Sequence, residues 1–274
     1  MIVITYIHTK IMKIAIIGTG NLGKSIANGL LESKVVKPKD LTLTKRNYKA
    51  LENYKKQGVE ITNNNKQAIK GKDIIWLCVQ PHKLEDVLKD IGSSLKNQIV
   101  ISTITGVKLK DFETKINKSV TLFRAMPNTA IAIKESMTCI ATNNATKEEK
   151  EVVENLFSHM GTSLFIDDEL MGSATVLAAS GIAFALRYIR AAMQAGIEIG
   201  FESDDAQKIA AQTIKGATSL LLSNNSHPES EIDKVTTPLG ITITGLNKME
   251  QEGFSSALIH GIQASYNKIN KLNE

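Results

Sequence analysis

Apolar residues in the first two-thirds of the chain fall in short continuous runs, separated by segments in which they recur every three or four positions. The runs 13–17, 41–45, 73–79, 98–103, 120–124, 137–142 and 163–166 have the length and β-branched content of strands buried on both faces. Segments 21–32, 48–57, 84–91, 108–116 and 147–159 carry the helical spacing. Alternation of this kind predicts an α/β architecture: a largely parallel sheet, helices on both faces, and ligands held beyond the carboxyl ends of the strands. From residue 169 onward the alternation stops. Segments 170–200, 204–223, 242–251 and 254–270 read as helices, the first rich in small residues such as Ala178, Ala179, Gly181 and Ala183. Small residues permit close helix contact. The apolar faces of this half exceed what about 100 residues can cover, which predicts pairing with a second copy through a two-fold interface. The expected domains are therefore 12–168 and 169–274.

The first strand runs directly into Gly18-Thr19-Gly20-Asn21-Leu22-Gly23, glycines spaced G-x-G-x-x-G at the entry to a helix. Gly18 lets the chain turn off the strand. Gly20 lets backbone N–H groups approach a pyrophosphate, and Gly23 lets the helix lie close on the sheet. The helix N-terminus adds unpaired N–H groups and a dipole that favours phosphate. A glycine triplet alone marks many tight turns, but between a strand and a helix it predicts a Rossmann-type dinucleotide-binding domain, doubly wound, followed by a smaller all-helical dimerisation domain. NAD-binding versions place a carboxylate near the end of the second strand, on the ribose 2′-hydroxyl. Here that strand ends Thr44-Lys45-Arg46-Asn47. Arg46 suits a 2′-phosphate, so NADPH is favoured over NADH, the alternative being a solvated basic loop.

Composition changes this picture little. The chain has 274 residues, 42% hydrophobic and 22% charged, with a net charge of +5 spread over scattered lysines, and nothing in that pattern marks a nucleic-acid surface. The uncharged apolar stretch 174–186 is shorter than a bilayer requires, so no membrane association is expected. Residues 1–11 lack a basic segment ahead of an apolar one and read as a dispensable extension before Met12. Cys78 and Cys139 lie in apolar strands, which fits reduced buried thiols and a cytoplasmic protein. No metal-ligand spacing appears, and His227 beside Pro228 reads as a structural loop residue. Scarcity of acid–base groups suits hydride transfer, where the cofactor carries the chemistry and the protein orients and excludes water.

Two further stretches stand out. Arg124-Ala-Met-Pro127-Asn128-Thr129 leaves the end of a strand, either as a ligand segment or as a Pro-Asn turn. In Thr236-Thr237-Pro238-Leu239-Gly240-Ile241-Thr242-Ile243, hydroxyls and free N–H groups gather at a helix start, an arrangement that suits a small carboxylate. Helix capping by Thr237 or Thr242 is the competing explanation.

Taken in order, these motifs resemble those of the pyrroline-5-carboxylate reductases over nearly the whole chain from Met12. Gly18–Gly23 is similar to that family's opening loop, Val79-Gln80-Pro81-His82 to its Val-Lys-Pro turn, and 124–129 to its Arg-x-Met-Pro-Asn-Thr segment. Residues 175–184 resemble its Thr-Ala-Leu-Ser-Gly-Ser-Gly-Pro-Ala-Tyr helix, and 236–243 its Thr-Ser-Pro-Gly-Gly-Thr-Thr-Ile signature. The resemblance implies reduction of pyrroline-5-carboxylate to proline in a homodimer that assembles further into rings. It gives Thr242 the hydroxyl at the substrate ring nitrogen, and Thr237 with the backbone of Gly240, Ile241 and Thr242 the substrate carboxylate. It sets Gly18, Thr19, Gly20, Asn21, Leu22, Gly23, Lys45, Arg46, Asn65, Val79 and Pro81 at the cofactor, Asn65 near the adenosine ribose. Departures from the family pattern are Gln80 for lysine, Ile182 for proline, Leu239 for glycine, Arg190 at a commonly acidic place and Asn225 near a usual glutamate. They leave open a reductase of another cyclic imine or keto acid, or a nucleotide-sensing relative without turnover.

Overall fold

The computed structural model describes residues 12–112 and 114–272; the extension 1–11 lies outside them. Eight strands form one sheet: β1 (Ile14–Ile17), β2 (Leu41–Thr44), β3 (Glu60–Thr62), β4 (Ile74–Leu77), β5 (Ile99–Ser102), β6 (Thr121–Met126), β7 (Ser136–Ala141) and β8 (Gly161–Phe165). Their order is β3-β2-β1-β4-β5-β6-β7-β8, and every pair is parallel except β6 with β7. Successive residues of a strand face opposite sides of the sheet. In β1, Ile14 and Ile16 enter one core with Trp76, Phe123 and Phe157, while Ala15 and Ile17 enter the other with Leu77, Leu88 and Phe112. Two cores on one sheet require helices on both faces, as the continuous apolar runs predict.

Those helices are α1 (Asn21–Glu32), α2 (Glu52–Lys55), α3 (Asn65–Ile69), α4 (Leu84–Ile91) and α5 (Lys147–Ser158). α1 buries Gly23, Ile26, Ala27 and Leu30, and α4 buries Leu84, Val87, Leu88 and Ile91, the stripe that amphipathic spacing dictates. α5 starts on a capping box: the Thr146 hydroxyl accepts from the Glu149 N–H at 3.2 Å, and the Glu149 carboxylate accepts from the Thr146 N–H at 2.8 Å. Then follow α6 (Met171–Ala174), a π-helical turn (Thr175–Ser180), α7 (Gly181–Glu198), α8 (Ser203–Asn224), α9 (Pro228–Val235), α10 (Ile241–Gln251) and α11 (Phe254–Leu272).

Several expected elements differ. Segment 48–57 divides into a 3-10 turn (Tyr48–Leu51) and the single turn α2. Segment 108–116 holds a 3-10 turn, Leu109–Asp111, and no α-helix among the described residues; Asp111 accepts from the Lys108 N–H at 2.7 Å and Asp168 from the Leu109 N–H at 3.2 Å. β3, α3 and α9 were not foreseen, being three to eight residues long with little apolar pattern. At α9 the His227 ring nitrogen accepts from the Glu229 N–H at 3.2 Å, so this histidine is a helix cap. One helical run is longer than the uncharged stretch 174–186 alone. An uncharged run is too strict a measure, because a window containing Arg187 or Arg190 still averages apolar. An 18-residue stretch within the helical run Asp168–Glu198 has a mean hydropathy of 1.5, so this helix is long and apolar enough to cross a membrane by length and composition alone.

The chain divides into two compact units. One comprises the residues up to Ala179 with those from Tyr266 onward; the other is Ser180–Ser265. The first holds the sheet and both cores. In the second, Met193 and Ala206 are the only buried hydrophobic side chains among the described residues, whereas Leu186, Ile199, Leu222 and Val235 are exposed. The α7–α8 contact is tight, since a Cβ on Gly196 would meet the Ala206 methyl at 3.1 Å. A unit with so little core cannot stabilise itself by burial alone.

Candidate active site

A cleft of about 950 Å³ opens where β1, β2 and β4 end, lined by residues of the first unit alone. This is where strand order reverses direction in the chain, with β1 flanked by β2 on one side and β4 on the other. Its floor is the glycine loop. Gly18 has φ +95°, and a Cβ there would lie 2.6 Å from Val79 Cγ1 and 2.9 Å from the Cys78 carbonyl oxygen. A Cβ on Gly23 would strike the Gly18 carbonyl oxygen at 2.5 Å. Gly20 differs: it precedes α1 with extended backbone, no side-chain cap is present, and a Cβ there would meet nothing within 4 Å. The protein itself does not require glycine at that point. A ligand approaching the N–H groups of α1 would, and this is the fit expected of a dinucleotide pyrophosphate. Thr19 anchors the loop through its N–H to the Thr44 carbonyl at 2.9 Å, and its buried hydroxyl has no hydrogen-bond partner among the described residues.

Of the cofactor residues expected, Gly18, Thr19, Gly20, Lys45, Arg46, Asn65 and Val79 line this cleft. Asn21, Leu22, Gly23 and Pro81 do not; the first three form the opening turn of α1, and Pro81 begins a 3-10 turn, Pro81–Lys83. Lys45 is fixed by its N–H to the Thr62 carbonyl at 3.2 Å, and the exposed Arg46 next to it has no ion-pair partner among the described residues. Asn65 opens α3 and donates to Asp90 at 3.4 Å. Gln80, Lys83, Asp86 and Asp90 complete the wall and were not foreseen as binding residues. Lys83 ends the 3-10 turn before α4, and the spacing of Asp86 and Asp90 puts them on the polar face of α4, a signal available from the sequence. Cys78 also lines the cleft; its sulfur lies 3.1 Å from the Thr103 hydroxyl, and burial pushes the thiol up to about 12. It is inert at neutral pH.

Arg124 and Asn128 turn out to be committed to the scaffold. Arg124 lies buried inside β6 with its guanidinium on the Asp168 carboxylate, which also accepts the Leu109 N–H. Asn128 caps the 3-10 turn Thr129–Ile133 through the Ala130 N–H at 3.0 Å, and donates to the Ala178 carbonyl at 3.2 Å.

The other expected residues lie in the second unit. Thr237, Pro238, Leu239 and Gly240 form a tight turn closed by the Gly240 N–H on the Thr237 carbonyl at 2.9 Å. Gly240 is required there, because a Cβ would lie 2.6 Å from Thr237 Oγ1. α10 begins at Ile241 with Gly240 as its cap and no side-chain cap bond, so neither Thr237 nor Thr242 performs the capping that competes with a ligand role. Thr244 instead returns its hydroxyl to the Gly240 carbonyl at 3.1 Å. The exposed Thr242 hydroxyl has no partner among the described residues, and the N–H groups of Ile241, Thr242 and Ile243 lie in the first turn, where an α-helix has no internal acceptors. Three donors, a dipole and a hydroxyl can hold a carboxylate and a neighbouring polar atom.

The family model for pyrroline-5-carboxylate reductase dimerisation matches residues 168–272, and that for NADP oxidoreductase, coenzyme F420-dependent, matches 13–106. Pyrroline-5-carboxylate reductase 1 of Dictyostelium discoideum is 47% identical over 93% of the chain, and the chain spans about half (49%) of its length. Pyrroline-5-carboxylate reductase 2 of the same organism is 43% identical, covering 94% of the chain and 92% of the relative. In fold, the chain is similar to the crystal structure of a Plasmodium falciparum pyrroline carboxylate reductase with NADP bound, with a TM-score of 0.86, 23% identity and coverage of 96% and 98%.

Proposed function

The chain belongs to the pyrroline-5-carboxylate reductase family, and on that footing we propose that it reduces (S)-1-pyrroline-5-carboxylate to L-proline with NADPH, the last step of proline biosynthesis. The observation that carries this reading is the start of α10: a hydroxyl and three backbone donors freed from capping, on a chain whose glycine cleft fits a dinucleotide. NADPH, when bound, supplies the hydride that reduces a C=N carbon. Arg46 favours the 2′-phosphate, and no carboxylate at the end of β2 opposes it, so NADH is the poorer donor.

The residues of the chain do the rest. The N–H groups of Ile241 and Thr242, with Thr237 and Gly240 shaping the turn, hold the substrate carboxylate. Thr242 Oγ1 hydrogen-bonds the ring nitrogen, which must carry a proton for the adjacent carbon to accept hydride. A threonine hydroxyl is a weak acid, so its part is to orient the ring while water supplies the proton. Orienting two reactants can lower a barrier by about 7–11 kcal/mol. Residues 12–168 bind the cofactor, Gly18 to Gly23 with Lys45, Arg46, Asn65, Val79 and Pro81. Residues 169–274 supply the substrate turn and pair two copies of the chain, which assemble further as rings in the cytoplasm, away from membranes.

Thr242→Ala tests the assignment. The substitution should lower kcat/KM for pyrroline-5-carboxylate by tenfold or more, on the order of one lost hydrogen bond to a charged group. NADPH affinity by fluorescence titration should stay the same. An unchanged kcat/KM removes Thr242 from the reaction.

A further inference from the structure

Leu239 occupies the third position of the turn that closes on Gly240, with φ +60°. That backbone region is disfavoured for a branched side chain, and turns that need it carry glycine or asparagine there. The resembled signature has glycine at this place. Here the chain keeps a leucine in the strained position, and its side chain is 103% exposed, touching nothing. Two residues on, Ile241 is 93% exposed at the first position of α10. Two large apolar side chains thus stand on either side of Gly240, next to Thr242 in sequence, and the chain itself covers neither. Non-glycine residues in this region cluster at ligand sites, where the strain serves binding.

Resting on the reading above, we infer that Leu239, with Ile241, is a specificity-determining residue that forms the apolar wall of the substrate position. Its full exposure leaves the Leu239 side chain clear of its own turn. A ring held by its carboxylate on the α10 N–H groups would then lie against leucine and isoleucine instead of water. The wall excludes solvent from a flat five-membered heterocycle and leaves less room for a larger ring.

The test uses the intact protein with Leu239→Gly and Leu239→Ala. Glycine removes both wall and strain, whereas alanine removes the wall and keeps the strain. KM for pyrroline-5-carboxylate should rise about tenfold in both, the scale on which apolar pockets discriminate, with kcat nearly constant. The relative rate on the six-membered-ring analogue should increase. NADPH affinity should not move, and only Leu239→Gly should match or exceed the thermal stability of the parent. Unchanged KM and ring preference in both variants, with only stability altered, overturns the inference while leaving the reductase reading intact. Failure of the unsubstituted protein to reduce pyrroline-5-carboxylate overturns both.

Discussion

Gly18, Gly20 and Gly23 look equivalent in the sequence, yet different neighbours constrain them. Gly18 and Gly23 are held by the protein, through positive φ and through a 2.5 Å approach to a carbonyl oxygen. Gly20 faces open space within 4 Å. Gly23→Ala should therefore cost about 1–3 kcal/mol of stability as α1 shifts off the loop. Gly20→Ala should cost about 1 kcal/mol or less, yet weaken NADPH binding severalfold. Thermal unfolding and a fluorescence titration separate the two, and equal effects on both quantities would deny Gly20 its place under the pyrophosphate. Arg46→Ala should raise KM for NADPH much more than for NADH; a similar rise with both donors would argue against 2′-phosphate recognition. The glycines and Arg46 were legible because backbone turns and a missing carboxylate are local facts. Asp86 and Asp90 were less so, since helix spacing gives a polar face but not what the face opposes. Leu239 was visible only as a departure, its strain being a matter of dihedral angle.

At the level of elements, apolar runs identified seven strands, chiefly because the inner strands are covered on both faces and have no polar side; β8, at the edge, exposes Leu164. β3 escaped for the opposite reason: it is a three-residue edge strand with Glu60 exposed. α9 escaped because its stability comes from polar contacts. Glu231 accepts from Ser226 at 2.6 Å, from Lys234 at 2.7 Å and from Asn224 at 3.3 Å. These bonds, led by that from Lys234 and then Ser226, lower its carboxyl to about 2. A depressed folded value stabilises above the ordinary glutamate range near about 4.3 and fades as pH falls toward about 2. Acid titration followed by proton exchange should show the α8–α9 junction loosening across that window. Glu231→Gln should remove the pH dependence there, and its persistence would assign the effect to other carboxylates.

Across the whole molecule, the two units differ in how they are stabilised. The sheet unit has two cores; Ser180–Ser265 leaves apolar residues such as Leu222, 85% exposed, with no cover from the chain. A second copy is the proposed cover, so the mass by light scattering should be that of a dimer or a multiple of it. The unfolding midpoint should also rise with protein concentration. A monomer with a concentration-independent midpoint would leave those faces unexplained. Most direct of all is turnover: purified protein mixed with NADPH and pyrroline-5-carboxylate should consume the cofactor and release proline in equal amounts, with Thr242→Ala much slower. NADPH that binds but is never oxidised in the presence of that imine would contradict a reductase and leave only a nucleotide-binding protein.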